Sequence, residues 1–216
     1  MSGLWVQVEA CLRLSRMRVR RAMSSARALS AIRSLGVDPA RLAVTGDSTG
    51  GNLAAVVTLK ARAARQPQIG FQLLVYPDLD FRRTNYSITE FAGKYGNLTR
   101  EAQEWFMDHY ITTEDDKLDP LVSPLVEPDL SGLPPAFIIT AEYDTLRDER
   151  EEYGQRLAAA GVPVTVRRYD GTINEILRHP FGDAKVATGD ATPGSQKLLR
   201  LWCRRRLKKC RVGWAI

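Results

Sequence analysis

The stretch of the sequence best suited to chemistry is a serine flanked by glycines, Gly46-Asp47-Ser48-Thr49-Gly50. This G-x-S-x-G pattern lies between an apolar run that predicts a strand and a stretch with helical spacing, which is the setting of a nucleophile on a sharp turn. The glycines leave room around the turn, and the Thr49 amide at the helix N-terminus favours developing negative charge on a substrate oxygen. A glycine-rich turn that binds phosphate, or no ligand, is the alternative.

The elements that must position this serine follow from short apolar runs that alternate with helical patterns. Four strands are predicted, at residues 41–46, 70–77, 135–144 and 164–171. After Ser48, the residues Leu53, Val56 and Val57 recur at helical spacing, and a second helical pattern stops at Gly161. Strands that alternate with helices predict the α/β class, with a mostly parallel sheet flanked by helices.

A long insertion separates the second and third predicted strands. Residues 79–134 show no strand pattern and carry several aromatic side chains, namely Tyr95, Trp105, Phe106 and Tyr110. An insertion of this size at the carboxyl ends of strands usually covers a site. We therefore expect this segment to lie over the serine.

Charge divides the chain into three parts. The net charge of the whole chain is +6, with +6 in residues 1–36 and +8 in residues 197–216, which leaves −8 between them. Basic ends can contact nucleic acid or membranes, and in residues 197–216 Trp202 and Trp214 lie among the lysine and arginine residues. Solvated tails, or ends that are not original to the fold, are the preferred interpretations, so we expect no nucleic-acid or membrane contact from them.

The length of 216 residues, with 44% apolar residues, favours one domain. We divide the chain into a divergent basic segment (1–34), a catalytic-domain core (35–191) and a basic tail (192–216). No apolar stretch is long enough to span a membrane, and the first residues do not have the pattern of a signal peptide.

The cysteines are three in number and lie near the two ends of the chain, at Cys11, Cys203 and Cys210. An odd number without metal-ligand spacing argues against a disulfide scaffold and against a metal site. We expect a cytoplasmic protein that holds no metal.

Several stretches together resemble the hormone-sensitive-lipase-like branch of the α/β-hydrolases, a family of carboxylesterases. The matching stretches are GVDPARLAVTGDSTGGNLAA, LLVYPDLD, DPLVSPL, LPPAFIITAEYDTLRDE and AAAGVPVTVRRYDGTI, in the family's order and at its spacings. The resemblance implies an α/β-hydrolase-type sheet. It also implies a serine carboxylic-ester hydrolase that cleaves short-chain acyl or aryl esters through an acyl-enzyme, without cofactors.

The resemblance also implies roles for individual residues. Ser48 is the expected nucleophile, the Thr49 amide the expected oxyanion donor, and Gly50 and Gly51 give room beside the turn. Asp144, in YDTLRDE, is the expected acid that orients and stabilises the imidazole of the base. The alternative role of Asp144 is to cap the helix that follows the strand, and a carboxylate at this place can do both.

The base is the first departure from the family, whose last strand ends in Y-x-G-x-x-H-G-F. Asn174 stands at the histidine position, and an asparagine amide cannot accept a proton from a serine hydroxyl. The chain has two histidines: His109, which we interpret as a surface or core residue, and His179, which replaces the base only if its loop is rebuilt. Glu175 is a further candidate base.

The oxyanion hole is the second departure. The family places an H-G-G-G stretch well ahead of the nucleophile, but only 47 residues precede Ser48 and none of them forms that stretch. We therefore expect an N-terminally truncated sheet without its early strands, self-association through the exposed sheet edge, and impaired activity. The alternative is a non-catalytic hydrolase-fold protein that binds a small molecule, or an inactive fragment.

Overall fold

A five-stranded sheet forms the centre of the protein in a computed structural model that describes residues 4–7, 42–95 and 98–174. The strands are β1 (Leu4–Gln7), β2 (Leu42–Asp47), β3 (Ile69–Val75), β4 (Ala136–Tyr143) and β5 (Val164–Ile173). They lie in the order β1-β2-β3-β4-β5, and every neighbouring pair is parallel. The predicted α/β class with a parallel sheet is confirmed.

The helices follow the strands as the sequence pattern predicts. They are α1 (Thr49–Ala64), α2 (Tyr86–Phe91), α3 (Arg100–Tyr110) and α4 (Arg147–Ala159), with two 3-10 helices at Glu114–Leu118 and Pro124–Val126. Helix α1 connects β2 to β3, and α4 connects β4 to β5. Both crossovers move one strand in the same direction, so the right-handed rule places them on the same face of the sheet.

Two apolar clusters lie on opposite faces of the sheet. The first packs Val44, Leu74 and Ile138 of the strands against Ala55 of α1 and Leu157 of α4. The second is formed by Ala43, Phe71, Leu73, Val75, Tyr76, Phe137, Ile139 and Tyr169. Because successive strand residues point to opposite faces, this arrangement explains the continuous apolar runs in β3 and β4.

The four strands predicted from the sequence correspond to β2, β3, β4 and β5, with ends that shift by one or two residues. Strand β1 was not predicted. It pairs Leu4 with Leu42 and Gln7 with Thr45 in parallel register. A four-residue strand is too short for alternation to identify it.

The described segment between β3 and β4 contains α2, α3 and the two 3-10 helices, and none of its described residues forms a strand. In the parts of the chain with assigned secondary structure, no helix is both long and apolar enough to cross a lipid bilayer. The carboxyl ends of β2, β3, β4 and β5 all meet at one edge of the sheet, where ligands bind in open α/β sheets.

Candidate active site

Ser48 occupies a strained turn between β2 and α1. Its backbone has φ 53° and ψ −123°, a conformation that non-glycine residues adopt at a cost of about 1–3 kcal/mol. The turn is held by the Ser48 amide, which donates to the Val75 carbonyl at 3.0 Å, and by the Ser48 carbonyl, which accepts from Asn52 at 3.1 Å and Asp78 at 3.2 Å. The backbone network therefore fixes the serine at the carboxyl end of β2.

The glycines beside the serine are required by close packing. A Cβ on Gly46 would lie 2.2 Å from the Gly50 carbonyl oxygen, and a Cβ on Gly51 would lie 2.7 Å from Pro77 Cβ and 2.9 Å from Pro77 Cα. Real Cβ atoms do not approach other atoms so closely, and the first contact is with backbone. These positions therefore accept only glycine without movement of the turn.

The N-terminus of α1 is open toward the site. Ser48 makes no side-chain capping hydrogen bond, and the first turn contains no acidic residue. Thr49, the first residue of the helix, is exposed. Its amide belongs to the helix-terminal N–H groups that have no partner within the helix, so this end can bind an anion or an oxyanion. Asp47, on the other side of the serine, accepts a hydrogen bond from the Tyr76 hydroxyl at 3.3 Å.

Asp144 follows the last residue of β4 and is fully buried. Its Oδ1 accepts from the Leu146 amide at 2.9 Å, and its backbone carbonyl accepts from the Arg147 amide at 3.0 Å. Its Oδ2 accepts a hydrogen bond from Arg150 Nη1 within an ion pair. The carboxylate therefore stabilises the turn that leads into α4. The alternative that Asp144 is the N-cap of this helix is wrong, because the N-cap is Leu146.

Asn174 lies beside Asp144 at the same edge of the sheet. Tyr143 of β4 and Ile173 of β5 are register partners, and Asp144 and Asn174 are the next residues along the two strands. Asn174 is half-buried. The residue at the expected base position is therefore brought next to the expected acid, although it is an amide.

His109, the one histidine among the described residues, does not join this arrangement. His109 is exposed on α3, where its Nδ1 lies 2.7 Å from the Trp105 carbonyl oxygen and its ring stacks on the Trp105 ring with centroids 4.2 Å apart. This position confirms the interpretation of His109 as a surface residue. His179 and Glu175 lie outside the described residues.

A buried acidic side chain at the start of α4 was missed as a site residue. Glu149 lies in the first turn of this helix, and its side chain is fully buried. Its Oε1 accepts from the Leu79 amide at 2.7 Å and from the Asp80 amide at 3.3 Å. Glu149 thus ties α4 to the chain that leaves β3, just beyond the contacts of the Ser48 turn.

Glu149 also joins a charged network with Asp78 and Arg83. The Arg83 guanidinium pairs with both carboxylate oxygens of Asp78, at 2.8 and 2.7 Å, and lies 3.4 Å from Glu149 Oε2. Burial raises the pKa of Glu149 to about 8, although the Arg83 charge acts in the opposite direction. The paired charge of Asp78 explains why Arg83 does not fully compensate the second carboxylate.

Aromatic side chains surround the ends of β4 and α2. The rings of Phe91 and Tyr143 meet edge to face with centroids 5.9 Å apart, the Tyr95 and Tyr143 rings lie 4.7 Å apart, and the Arg147 guanidinium stacks over Phe91. On α3, Trp105 remains 51% exposed. The insertion therefore supplies aromatic surface next to the residue that precedes Asp144.

Within the described ranges, no group of three or more His, Cys, Asp or Glu side chains is placed to hold a metal ion.

Comparisons with known proteins agree with this geometry. A sequence model of the alpha/beta hydrolase fold family matches residues 8–178. The carboxylic ester hydrolase LipN of Mycobacterium tuberculosis is 41% identical over 172 residues, which are 76% of this chain and 43% of LipN. An arylesterase of Saccharolobus solfataricus is 38% identical over 158 residues, 70% of this chain and 49% of that protein.

Solved structures give the same result. A hyperthermophilic esterase from Pyrobaculum calidifontis superposes with a TM-score of 0.72 at 36% identity, over 82% of this chain and 57% of that one. An esterase from Pseudomonas putida superposes with a TM-score of 0.68 at 42% identity, over 73% of this chain and 50% of that one. The chain thus spans about half the length of the relatives that it matches.

Proposed function

Since this chain belongs to the alpha/beta hydrolase fold family, we propose that it is a serine carboxylic-ester hydrolase for short-chain acyl or aryl esters. The observation that carries the proposal is the backbone of Ser48, which has φ 53° and ψ −123° in a turn between β2 and α1. Relatives described as a carboxylic ester hydrolase and an arylesterase support the same reaction class.

In the proposed reaction the Ser48 hydroxyl attacks the ester carbonyl, and the base removes the serine proton. The Thr49 amide stabilises the oxyanion, and the turn formed by Gly46, Asp47, Gly50 and Gly51 holds the nucleophile in place. Collapse of the tetrahedral intermediate releases the alcohol, to which the base returns the proton. Water then hydrolyses the acyl-enzyme in a second, equivalent sequence of steps.

The base and its partner are where this chain departs from the family pattern. Asp144 is the proposed acid, and His179 is the proposed substitute for a base at position 174. Because Asn174 cannot take up the proton, we expect slow turnover.

A second candidate function is the binding of a small molecule without catalysis. The observation that favours it is Asn174, whose neighbour in strand register is the carboxylate that would otherwise orient a histidine. An amide at this place can donate and accept hydrogen bonds to a bound ligand but cannot act as a general base. An inactive hydrolase fragment is the other alternative to catalysis.

The remaining expectations from the sequence are part of this proposal. The odd number of cysteines favours a cytoplasmic location. Among the described residues β1 pairs with β2 alone, and an edge of the sheet on this side favours self-association by edge pairing. A sedimentation experiment tests this part: concentration-dependent association supports edge pairing, whereas a single monomeric species across concentrations contradicts it.

The experiment that tests the proposed function is hydrolysis of p-nitrophenyl butyrate by the unaltered chain and by Ser48→Ala, Asn174→His and His179→Ala. Turnover that is lost in both Ser48→Ala and His179→Ala supports an enzyme with a relocated base. An inert chain in which Asn174→His gives a Ser48-dependent rate supports the binding function. Ser131→Ala removes an exposed serine hydroxyl elsewhere on the surface and serves as the matched control.

A further inference from the structure

Arg150 is a buried cation that the proposed mechanism leaves without a role. It lies in the first half of α4, and its side chain is 1% exposed, while that of its partner Asp144 is 0% exposed. The guanidinium donates through Nη1 to Asp144 Oδ2 and through Nε to the Pro77 carbonyl at 2.8 Å. A charge buried in this way is costly unless it is paired, so the contact with Asp144 determines where the guanidinium lies.

The second contact of Arg150 connects it to the serine turn. Pro77 packs so closely against Gly51 that only glycine fits there, and the next residue, Asp78, donates its amide to the Ser48 carbonyl at 3.2 Å. Arg150 thus bridges the end of β4, which carries Asp144, and the chain after β3, which holds the Ser48 turn. Its side chain therefore fixes the position of the carboxylate relative to the nucleophile.

The same contact changes what Asp144 can do for a base. An acid of a serine hydrolase site orients an imidazole and stabilises the imidazolium by its negative charge. Here Oδ1 accepts from the Leu146 amide and Oδ2 is paired with a guanidinium. The positive charge of Arg150 offsets the carboxylate charge in a buried setting, where water screens it little.

We infer that Arg150 is a positioning residue of this site, which holds Asp144 in place and at the same time weakens it as a partner for a base at position 174. The catalytic consequence rests on the proposed serine hydrolase function, but the electrostatic effect does not. It explains why an amide is tolerated at position 174: the carboxylate beside it is already neutralised by a cation from α4.

Other charged groups near this pair belong to separate contacts. Glu149 faces Arg83 and Asp78 on the β3 side of α4, and Arg150 acts to lower its pKa. Arg147 donates to Asp148 Oδ1 at 2.9 Å and to the Glu142 carbonyl at 3.1 Å. A test must therefore separate the effect of Arg150 on Asp144 from an effect transmitted through Glu149.

The test places a histidine beside Asp144 and measures its pKa by NMR in Asn174→His, with and without Arg150→Gln. The chain has only two other histidines, so the new resonance is assigned by difference. We expect the pKa of the new imidazole to stay near its ordinary value of about 6.5 in Asn174→His and to rise by about one unit when Arg150→Gln is added. A pKa that is the same in both proteins overturns the inference.

Three variants in the Asn174→His background serve as controls. Arg150→Lys keeps the positive charge and is expected to leave the imidazole pKa unchanged. Adding Asp144→Asn to Arg150→Gln is expected to abolish the rise, because the carboxylate is its source. Glu149→Gln with Arg150 intact is expected not to produce the rise; a rise of equal size there would attribute the effect to Glu149 and overturn the inference.

A crystal structure of Asn174→His alone keeps the inference falsifiable if Arg150→Gln does not fold. A guanidinium that remains on Asp144 Oδ2, with the Arg150 contact to Pro77 intact, supports it. An imidazole that displaces the guanidinium from Asp144 overturns it. None of these measurements needs turnover, so failure of the proposed function, seen as ester hydrolysis that is absent or does not depend on Ser48, is recognised separately.

Discussion

The carboxyl end of β2 and the carboxyl ends of β3 and β4 meet at one edge of the sheet but are held by different forces. At β2, the Ser48 turn is stabilised by backbone hydrogen bonds and by glycines at positions 46 and 51. At β3 and β4, buried charges hold the chain, including the Asp144 pair with Arg150 and the contacts of Glu149.

This difference separates two kinds of constraint. The serine turn depends on close backbone contacts, both within residues 46–51 and with Val75, Pro77 and Asp78 at the end of β3, so it tolerates little change in shape. The charged region depends on electrostatics between buried side chains, so its strength varies with charge state and pH. Each prediction below changes one region and asks whether the response is steric or electrostatic.

The largest effect is expected from Arg150→Met, which leaves the buried Asp144 carboxylate without its cation. Loss of one partner of a buried pair costs about 3–5 kcal/mol in the free energy of unfolding. Urea denaturation measures this loss. The matched control is Arg168→Met, because Arg168 is 46% exposed in its pair with Glu151 and is expected to change stability little. Equal losses in the two variants would contradict the expectation that the buried pair contributes more to the free energy of unfolding than the exposed pair.

The next largest effect is expected from Gly46→Ala, which places a Cβ 2.2 Å from the Gly50 carbonyl oxygen. The backbone must move to relieve this contact, and we expect a loss of about 3 kcal/mol together with loss of Ser48-dependent chemistry. The control is Gly93→Asn, at φ 77° with no atom within 4 Å of an added Cβ, where asparagine is tolerated. A stable Gly46→Ala protein with an unchanged Ser48 reaction would contradict the steric account.

The third prediction concerns pH. Burial raises the pKa of Glu149 from 4.5 to about 8, so between these values the folded state binds a proton that the unfolded state releases. The free energy of unfolding therefore falls as pH rises through this window. Glu149→Gln removes this contribution and is expected to flatten the dependence by on the order of 1–3 kcal/mol, as measured by urea denaturation at pH 5 and pH 8.

The control for the pH experiment is Glu114→Gln, whose side chain is 85% exposed. This variant is expected to show the same pH dependence as the unaltered protein. If Glu149→Gln also shows it, Glu149 is ionised across the window and the electrostatic account of the β3–β4 region is wrong.

The smallest effect is expected at Ser48 itself. Ser48→Gly relieves the strain of φ 53°, which is offset in part by the greater freedom of glycine in the unfolded chain, so we expect a gain of about 1 kcal/mol. Ser48→Ala keeps the Cβ and its strain and is expected to change stability by less than about 0.5 kcal/mol. Thermal unfolding of the two variants distinguishes them, and equal midpoints would show that the turn is not strained.

The sequence predicts the steric region better than the electrostatic one. The Ser48 turn was found because its glycines are adjacent in sequence and its strand and helix have clear periodicities. The position of Asn174 came from the family resemblance, whereas the predicted strand 135–144 itself ends at Asp144. The turn and this strand end depend on local geometry, which the order of residue types encodes directly.

The partners in the charged region could not be predicted, because several of its contacts join residues that are distant in sequence. Arg150 donates to a carbonyl 73 positions away, and Glu149 accepts from an amide 70 positions away. The helical spacing of Glu149 and Arg150 from Tyr153 and Leu157 is consistent with one buried face of α4. This spacing does not indicate which groups on the chain after β3 the two charged side chains contact.

The measurement that tests the central claim most directly is labelling with a phosphonylating ester analogue, followed by peptide mapping of the adduct by mass spectrometry. Such a reagent reacts with a serine that is activated as a nucleophile. We predict a stoichiometric adduct on Ser48 that is absent in Ser48→Ala. No adduct, or an adduct that persists in Ser48→Ala on another residue, would contradict the assignment of this turn as the hydrolytic site.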